Sequence, residues 1–152
     1  MQFIKHGFLR GALLLMISFI SVLNVKAQSV HHSRVNIGLA YPFSSNGNHA
    51  AADTNLFSFN LIAGVSAAEE GFSFAGISSV IKNYAKGVQF AGFSNHIGQY
   101  AEGFMFAGFM NTYGKAKGMQ FAGFTNIALK DVEGAQFAGF MNKAADLDGI
   151  QI

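Results

Sequence analysis

The chain has 152 residues, of which 51% are hydrophobic and 12% are charged, and it contains 18 Gly, 17 Phe and no Cys. This length predicts a single domain. The aromatic content excludes an ordinary disordered tail, because such segments are poor in aromatics and rich in charge. The lack of Cys excludes a disulfide scaffold and a thiolate metal site.

The N-terminal segment has the three-part pattern of a secretory signal peptide. Lys5 and Arg10 form a basic start, an uncharged apolar run covers Gly11 to Leu23, and Val-Lys-Ala precedes a cut after Ala27. The apolar run of about 13 residues is shorter than the roughly 20 that a spanning helix needs. We therefore predict a signal peptide over residues 1–27, with an uncleaved anchor as the alternative. No Cys follows the cut, which excludes lipid attachment at that point.

The basic character of the chain belongs to this segment. The whole chain has a formal net charge of +2. Residues 1–27 hold three of the ten basic residues, Lys5, Arg10 and Lys26, and none of the eight acidic ones, which leaves seven basic and eight acidic residues and a net charge of −1. A nucleic-acid surface needs a concentrated cationic footprint. The sequence therefore predicts no nucleic-acid partner.

A nine-residue motif, exemplified by GVQFAGFSN at Gly87, recurs through residues 71–152. Its apolar residues and glycines suit a strand better than a helix, which each interior Gly would weaken by about 1 kcal/mol. The last copy stops at Ile152, so we predict a repeat array truncated in its last repeat, since repeat arrays normally carry a cap. The copies begin at Gly71, Gly87, Gly103, Gly118, Gly134 and Gly149, and successive starts differ in residue number by 16, 16, 15, 16 and 15.

The repeat predicts an all-β fold, and we favour a β-solenoid in which each copy forms one coil. Equivalent residues of successive coils then stack about 4.8 Å apart, and amide side chains can hydrogen-bond along the stack. Charges of alternating sign in one column would attract weakly at the surface. The expected columns are Gln89, Gln120 and Gln136; Asn95, Asn111, Asn126 and Asn142; and Lys86, Glu102, Lys117 and Glu133.

The alternative is an antiparallel β-meander that forms part of an outer-membrane β-barrel. Nine-residue strands match the roughly 9–11 residues of a membrane-crossing strand. A lipid-facing strand, however, should alternate cleanly between apolar and polar residues, and Gln-Phe-Ala-Gly-Phe does not. This mismatch is the reason for preferring the solenoid.

The repeats predict an interior filled by columns of Phe, each worth about 1.5–3 kcal/mol when fully buried. The small residues between the rings would keep the backbones close, so Val at Gly92 or Gly123 should unfold the array locally. Residues 28–70 are predicted as an entry segment that caps the array. It contains strands at Val35 to Ala40 and Leu56 to Val65.

Candidate chemistry is sparse. His31 and His32 are residues of the type that binds a metal as part of a His cluster, but we interpret them as an exposed chain end. His96 at a predicted turn lacks a recognisable catalytic partner, and Glu69 and Glu70 are read as a solvated turn rather than an acid pair. No phosphate loop, HExxH or GxSxG motif occurs. The sequence therefore predicts no enzyme and no catalytic, cofactor-binding or metal-binding residue.

The array GVQFAGFSN, GMQFAGFTN and GAQFAGFMN, with the final LDGIQI, resembles the bacterial surface repeat-containing family described from leptospires and widespread in Bacteroidota. The entry YPFSSNG and the following NLFSFNLIAGVSAAEEGFSFAGIS are similar to the N-terminus of its Bacteroidota members. The resemblance covers about residues 35–152. It implies export to the outer membrane or cell surface of a Gram-negative bacterium, and it implies no enzymatic activity.

Together these features predict an exported, non-enzymatic envelope or surface repeat protein with a structural or adhesive role and an unknown envelope partner. Two alternatives remain at this stage. The first is a fragment of an outer-membrane β-barrel for transport or anchoring. The second is a self-assembling fibre subunit that associates edge to edge through unpaired strands.

Overall fold

The computed structural model describes residues 31–32 and 34–152, and the predicted signal peptide lies outside them. The described chain is a β-solenoid of about six turns, built from stacked parallel coils. The predicted solenoid is therefore confirmed. The antiparallel alternative is wrong, because successive coils pair in parallel from Val35 to Gln151. Antiparallel pairing in the described chain joins only β2 and β3, defined next.

The strands follow one another with short corners, and one 3-10 helix lies at Gly47–Ala52. The strands are β1 His31–His32, β2 Val35–Ala40, β3 Phe43–Ser44, β4 Asp53–Ser66, β5 Ala68–Ala75, β6 Ser78–Ile81, β7 Tyr84–Ala91, β8 Ser94–Ala107, β9 Met110–Ala122, β10 Thr125–Ala128, β11 Val132–Ala138, β12 Met141–Lys143 and β13 Leu147–Gln151.

Each coil has two arms. In the coil formed by β8, the first arm is residues 94–97, which pair with β6, and the second arm is residues 100–107, which pair with β7. The next coil repeats the arrangement, since both arms of β9 pair with β8. The second arm bends at the glycine that starts each sequence motif, where Gly103 has φ +112°.

The spacing of the repeats varies by one residue, and this difference is absorbed at the corner between the arms. Ile97 stacks on Tyr113, and Ala101 stacks on Ala116. In β8 three residues lie between Ile97 and Ala101, whereas in β9 only two lie between Tyr113 and Ala116. The arms themselves stay in register because the shorter coil lacks its residue between them, where the pairing of β8 with β9 is irregular. The irregular repeat length is therefore compatible with unbroken side-chain columns.

The interior is lined mainly by small and amide side chains, and it holds the ring of Tyr113 but none of the Phe columns. Asn95, Asn111 and Asn126 are fully buried, as are Gln120 and Gln136. A hydrophobic cluster, whose largest member is Tyr113, fills the rest of the C-terminal coils. It consists of Ile81, Ala85, Ile97, Ala101, Met105, Tyr113, Ala116, Ala128 and Val132.

The prediction that Phe columns fill the interior is wrong. Within the motif, Gln and Ala point inward while the flanking Phe residues point outward, since side chains alternate across a strand. Phe104 keeps 46% of its surface exposed, whereas its neighbour Met105 keeps 2%. Such a short coil encloses a narrow space, and this space accepts Ala and a planar amide more readily than stacked rings.

The asparagine column forms a continuous buried ladder, as predicted. The Nδ2 atom of Asn95 donates to Oδ1 of Asn111 at 2.9 Å, and Asn111 donates in the same way to Asn126 at 2.9 Å. Asn126 continues the ladder to Asn142 at 2.8 Å. Each of these Nδ2 atoms also donates to a main-chain carbonyl, of Phe106, Phe121 and Phe137 respectively. The amides therefore tie the first arm to the second arm across the interior.

The predicted glutamine column is present but interrupted. Gln89, Met105, Gln120 and Gln136 occupy equivalent positions in successive coils. On either side of Met105, the Oε1 atom of Gln89 and the Nε2 atom of Gln120 are buried without a hydrogen-bond partner. Lower in the same column, Gln151 donates through Nε2 to Oε1 of Gln136. Met105 therefore interrupts the ladder, and the Tyr113 hydroxyl interrupts it again, since it accepts from Nε2 of Gln136 and donates to Oε1 of Gln120 at 3.4 Å.

A column of glycines allows the close approach of successive coils. It consists of Gly76, Gly92, Gly108, Gly123 and Gly139. A Cβ atom at Gly92 would lie 2.0 Å from the carbonyl oxygen of Gly76, and one at Gly123 would lie 2.1 Å from that of Gly108. Main-chain atoms of the neighbouring coil cannot move aside without breaking the ladder. These glycines are required by close backbone approach, which agrees with the role that the sequence suggested for them.

We expect Gly92→Val to lower the free energy of unfolding by about 3 kcal/mol or more, because the new Cβ collides with backbone. Gly47→Ala is the matched control, since it has positive φ but nothing within 4 Å of its Cβ position, and it should cost only about 1 kcal/mol of conformational strain. Urea unfolding followed by circular dichroism measures both. Equal losses would show that coil spacing is not limited by the glycine column.

We expect Met105→Gln to raise the free energy of unfolding by about 1 kcal/mol, because the new amide supplies a donor for Gln89 and an acceptor for Gln120. Met105→Leu is the control, as it keeps the site apolar and leaves both amides unpaired. The same urea titration compares the two variants. A Gln variant less stable than the Leu variant would contradict this explanation of the interrupted ladder.

Candidate interaction surface

The outward Phe residues form three stacked columns on one side of the solenoid. Two columns lie on the second arm and the third lies at the corner that follows it. We call these three columns the aromatic face. Its members are Val35, Phe57, Phe72, Val88, Phe104, Met119, Ala135 and Ile150; Ile37, Phe59, Phe74, Phe90, Phe106, Phe121 and Phe137; and Ile77, Phe93, Phe109, Phe124 and Phe140.

The rings of the aromatic face are regularly stacked. Phe90, Phe106 and Phe121 have successive centroid separations of 4.7 and 4.9 Å with interplanar angles of 10° and 4°. In the corner column, Phe109 and Phe124 are 4.8 Å apart at an angle of 2°. Small angles between rings require an almost untwisted sheet, which is unusual and is typically stabilised by such stacking. The columns of the aromatic face are therefore nearly untwisted along the solenoid axis.

The aromatic face is open to solvent despite its composition. Phe104 is 46% exposed and Phe93 is 49% exposed. Isolated exposed apolar residues are ordinary, but contiguous apolar patches mark interaction sites or grooves. The chain places its bulkiest side chains outside in unbroken columns, and this makes the aromatic face the strongest candidate for an interaction surface among the described residues.

A column of alternating charges borders the aromatic face across the glycine bend. Lys86, Glu102, Lys117 and Glu133 stack in register, as the sequence predicted. Nζ of Lys117 lies 2.8 Å from Oε1 of Glu133, and both side chains are about half exposed. An exposed pair of this kind contributes little to stability. The border therefore carries charge of both signs and no net positive potential.

The candidate histidine His96 lies within strand β8 rather than at a turn. Its Nε2 atom is 3.0 Å from the Oγ atom of Ser94, and its Nδ1 atom is 2.7 Å from Oγ1 of Thr112. A hydroxyl beside an imidazole suggests a nucleophile and a base. Here the second partner of the ring is a hydroxyl rather than a carboxylate, and Ser94 is only 4% exposed. The bond from His96 to Thr112 and the bond from Ser94 to Ser78 join adjacent coils, and the buried serine oxygen is not accessible to a substrate.

The two candidate carboxylates point to opposite sides of strand β5. Glu70 is exposed and accepts a 2.6 Å hydrogen bond from the Tyr84 hydroxyl. Glu69 is 2% exposed and accepts from Nδ2 of Asn55 at 3.0 Å and from Oγ of Ser58 at 2.7 Å. The expectation of a solvated turn is therefore wrong for Glu69, because strand alternation directs that side chain into the coil.

Burial is the main cause of an altered pKa at Glu69. It raises the pKa of this carboxyl from 4.5 to about 6, and hydrogen bonds from Asn55, Ser58 and Ser66 lower it against that effect. Between about pH 4.5 and pH 6, Glu69 therefore binds a proton more fully in the folded state than in the unfolded state. The interior of the N-terminal coils is polar at this point, in contrast to the apolar cluster farther along the chain.

The remaining candidate residues are His31 and His32 and a group of acidic residues in the C-terminal coils. The main chain of His31 and His32 forms β1 and pairs with Asp53 and Thr54. Within residues 31–32 and 34–152, no group of three or more His, Asp or Glu side chains is placed to hold a metal ion. A shallow acidic depression between Asp131, Asp146 and Asp148 is partly neutralised by Lys115, whose Nζ lies 3.8 Å from Asp131.

We expect Glu69 to make stability fall with rising pH. Below about pH 4.5 the residue is protonated in both states, and above about pH 6 it is ionised in both, so the free energy of unfolding drops by about 2 kcal/mol across this interval. Glu69→Gln should remove this fall and be about 2 kcal/mol more stable than the unaltered chain at pH 7.

Glu70→Gln is the matched control, because that neighbouring carboxylate is exposed. Denaturant midpoints measured at several pH values from 4 to 7 compare the three proteins. A parallel pH dependence in the unaltered chain and in Glu69→Gln would contradict the assignment of this titration to Glu69.

No helix in the part of the chain that the structure describes is long and apolar enough to cross a membrane. A scan against protein-family models and searches of curated proteins and of solved structures found no match for the chain.

Proposed function

We propose that this chain is an exported, non-enzymatic envelope or surface protein that serves a structural or adhesive role through its aromatic face. The observation that carries the proposal is the outward position of the Phe columns. If these rings contributed only to stability, they would be expected inside, because full burial of each Phe stabilises a fold by about 1.5–3 kcal/mol. Their exposure in flat columns instead suits contact with another molecule.

The remaining features support the same proposal. The interior is occupied by amide ladders and by a hydrophobic cluster that includes Tyr113. Ser94, His96 and Thr112 are used to join coils. The N-terminal pattern favours export, and the repeats resemble those of a bacterial surface family. A rigid scaffold that presents a repeated apolar face accounts for all of these features.

The test is retention in the cell envelope. The full chain, with its own N-terminal segment, is expressed in a Gram-negative host, and the cytoplasmic, soluble envelope, membrane and medium fractions are separated. We expect the chain in the envelope, and we expect the double variant Phe104→Thr with Phe124→Thr to be retained about tenfold less, because two exposed anchors of the contact are lost.

The matched control replaces two exposed apolar residues outside the aromatic face, Val80→Thr with Leu129→Thr. These substitutions lower surface apolarity to a similar extent without touching the Phe columns, and retention should be unchanged. A chain that stays in the cytoplasm would overturn the proposed export. Equal retention of both double variants would overturn the role of the aromatic face.

A further inference from the structure

Resting on the proposed contact role, we propose that the aromatic face binds the same face of a second copy of this chain, so that the protein forms a face-to-face dimer. The partner is inferred from four properties of the aromatic face: its period, its flatness, its lack of charge and its area. Each property is satisfied by another copy of the same surface.

The period of the aromatic face matches only a surface with the same spacing. From Phe90 to Phe140 its rings recur every 4.7 to 4.9 Å along the solenoid, for example between Phe106, Phe121 and Phe137. The N-terminal pairs Phe57–Phe72 and Phe59–Phe74 are 5.5 and 5.0 Å apart. A second copy turned by a two-fold axis presents rows at this same spacing. Rows of one copy then fit between rows of the other along the whole length, as in the dry interfaces between paired sheets of identical segments.

The flatness of the aromatic face favours contact over its whole area. A twisted sheet would touch a second sheet at one point and diverge elsewhere. The corner rings Phe93, Phe109 and Phe124 stack at interplanar angles of 4° and 2°, so successive rungs barely rotate. Two such faces can stay in contact from one end to the other.

The chemistry of the aromatic face disfavours other occupants. Its columns contain Phe, Val, Ile, Met and Ala and no hydrogen-bonding side chain, so they offer nothing to orient the hydroxyl groups of a glycan. The bordering column alternates between Lys86, Glu102, Lys117 and Glu133, so it would not draw the chain to an anionic lipid surface. Pairing with a second copy buries no charge from the three columns.

The area of the aromatic face suits a weak, reversible dimer. Its middle column runs over seven rungs, from Ile37 through Phe59 to Phe137. At about 4.8 Å per rung and about 3.3 Å per residue across Phe104 to Phe109, the face measures about 30 by 17 Å. Because Phe109 lies at a corner, this width is an upper bound. Each copy would bury at most about 500 Å², and the total of about 1,000 Å² lies in the range of weak or transient interfaces.

Sedimentation of the purified full chain, in the form in which the host exports it, tests the proposal. Measurements over a hundredfold range of micromolar concentration should show a reversible monomer–dimer equilibrium. Phe104→Asp and Phe124→Asp should each weaken dimerisation at least tenfold, because a carboxylate would be buried in an apolar contact. Gln99→Asp, at the opposite corner of the coil formed by β8, should leave it unchanged.

Circular dichroism and thermal melting confirm that each variant keeps the β-solenoid, and two variants in different columns guard against the failure of one to fold. A strictly monomeric unaltered chain would overturn the dimer. Dimers that resist both Phe substitutions, or that dissociate with Gln99→Asp, would place the contact elsewhere, including the unpaired strand edges.

Failure of the dimer and failure of the proposed function give different results. A monomeric purified chain whose envelope retention still depends on Phe104 and Phe124 would show that the aromatic face is used but binds another partner. A face-to-face dimer whose envelope retention does not change with those residues would confirm the pairing and overturn the role of the face in retention.

Discussion

The close stacking of main chains is the constraint on which the whole structure depends. At Gly92 and Gly123 the coils approach until a Cβ atom would lie 2.0 and 2.1 Å from the carbonyl oxygen of the coil before. Because glycine has no Cβ atom, successive arms can approach to the distance of ladder hydrogen bonds. Every side chain then lies directly over its equivalent in the next coil. Stacked rings, amide ladders and the charge column are all consequences of that register.

The register has opposite effects inside and outside the coil. Inside, a narrow space favours Ala and amides. Each Asn of the ladder, such as Asn95, donates hydrogen bonds both to the next Asn and to a main-chain carbonyl. Outside, the same stacking places Phe over Phe without covering the rings. The solenoid therefore obtains its rigidity from small and polar side chains, which leaves its most apolar side chains available for a partner.

The interior also changes character along the axis. The N-terminal coils bury Asn55, Ser58 and Glu69 in one hydrogen-bonded group, whereas the C-terminal coils bury an apolar cluster. Glu69 lies in the position that Ala85 and Ala101 occupy in later coils. The repeat thus specifies shape more strictly than chemistry, because any side chain of suitable size that finds hydrogen-bond partners is accepted.

The sequence by itself determined the columns, since a motif repeated at a nearly constant spacing leads to one coil per copy and places Asn95 beneath Asn111 wherever the coils pair in parallel. It did not determine which side of each arm faces inward. In Gln-Phe-Ala-Gly-Phe both alternating sets are regular, and hydrophobicity alone favours burying Phe. Only the tertiary structure decided the matter, because the width of the closed coil admits Gln120 and Ala122 and leaves Phe121 outside. The sequence did not indicate the burial of Glu69 for the same reason. That burial depends on hydrogen-bond partners that the fold supplies from another coil.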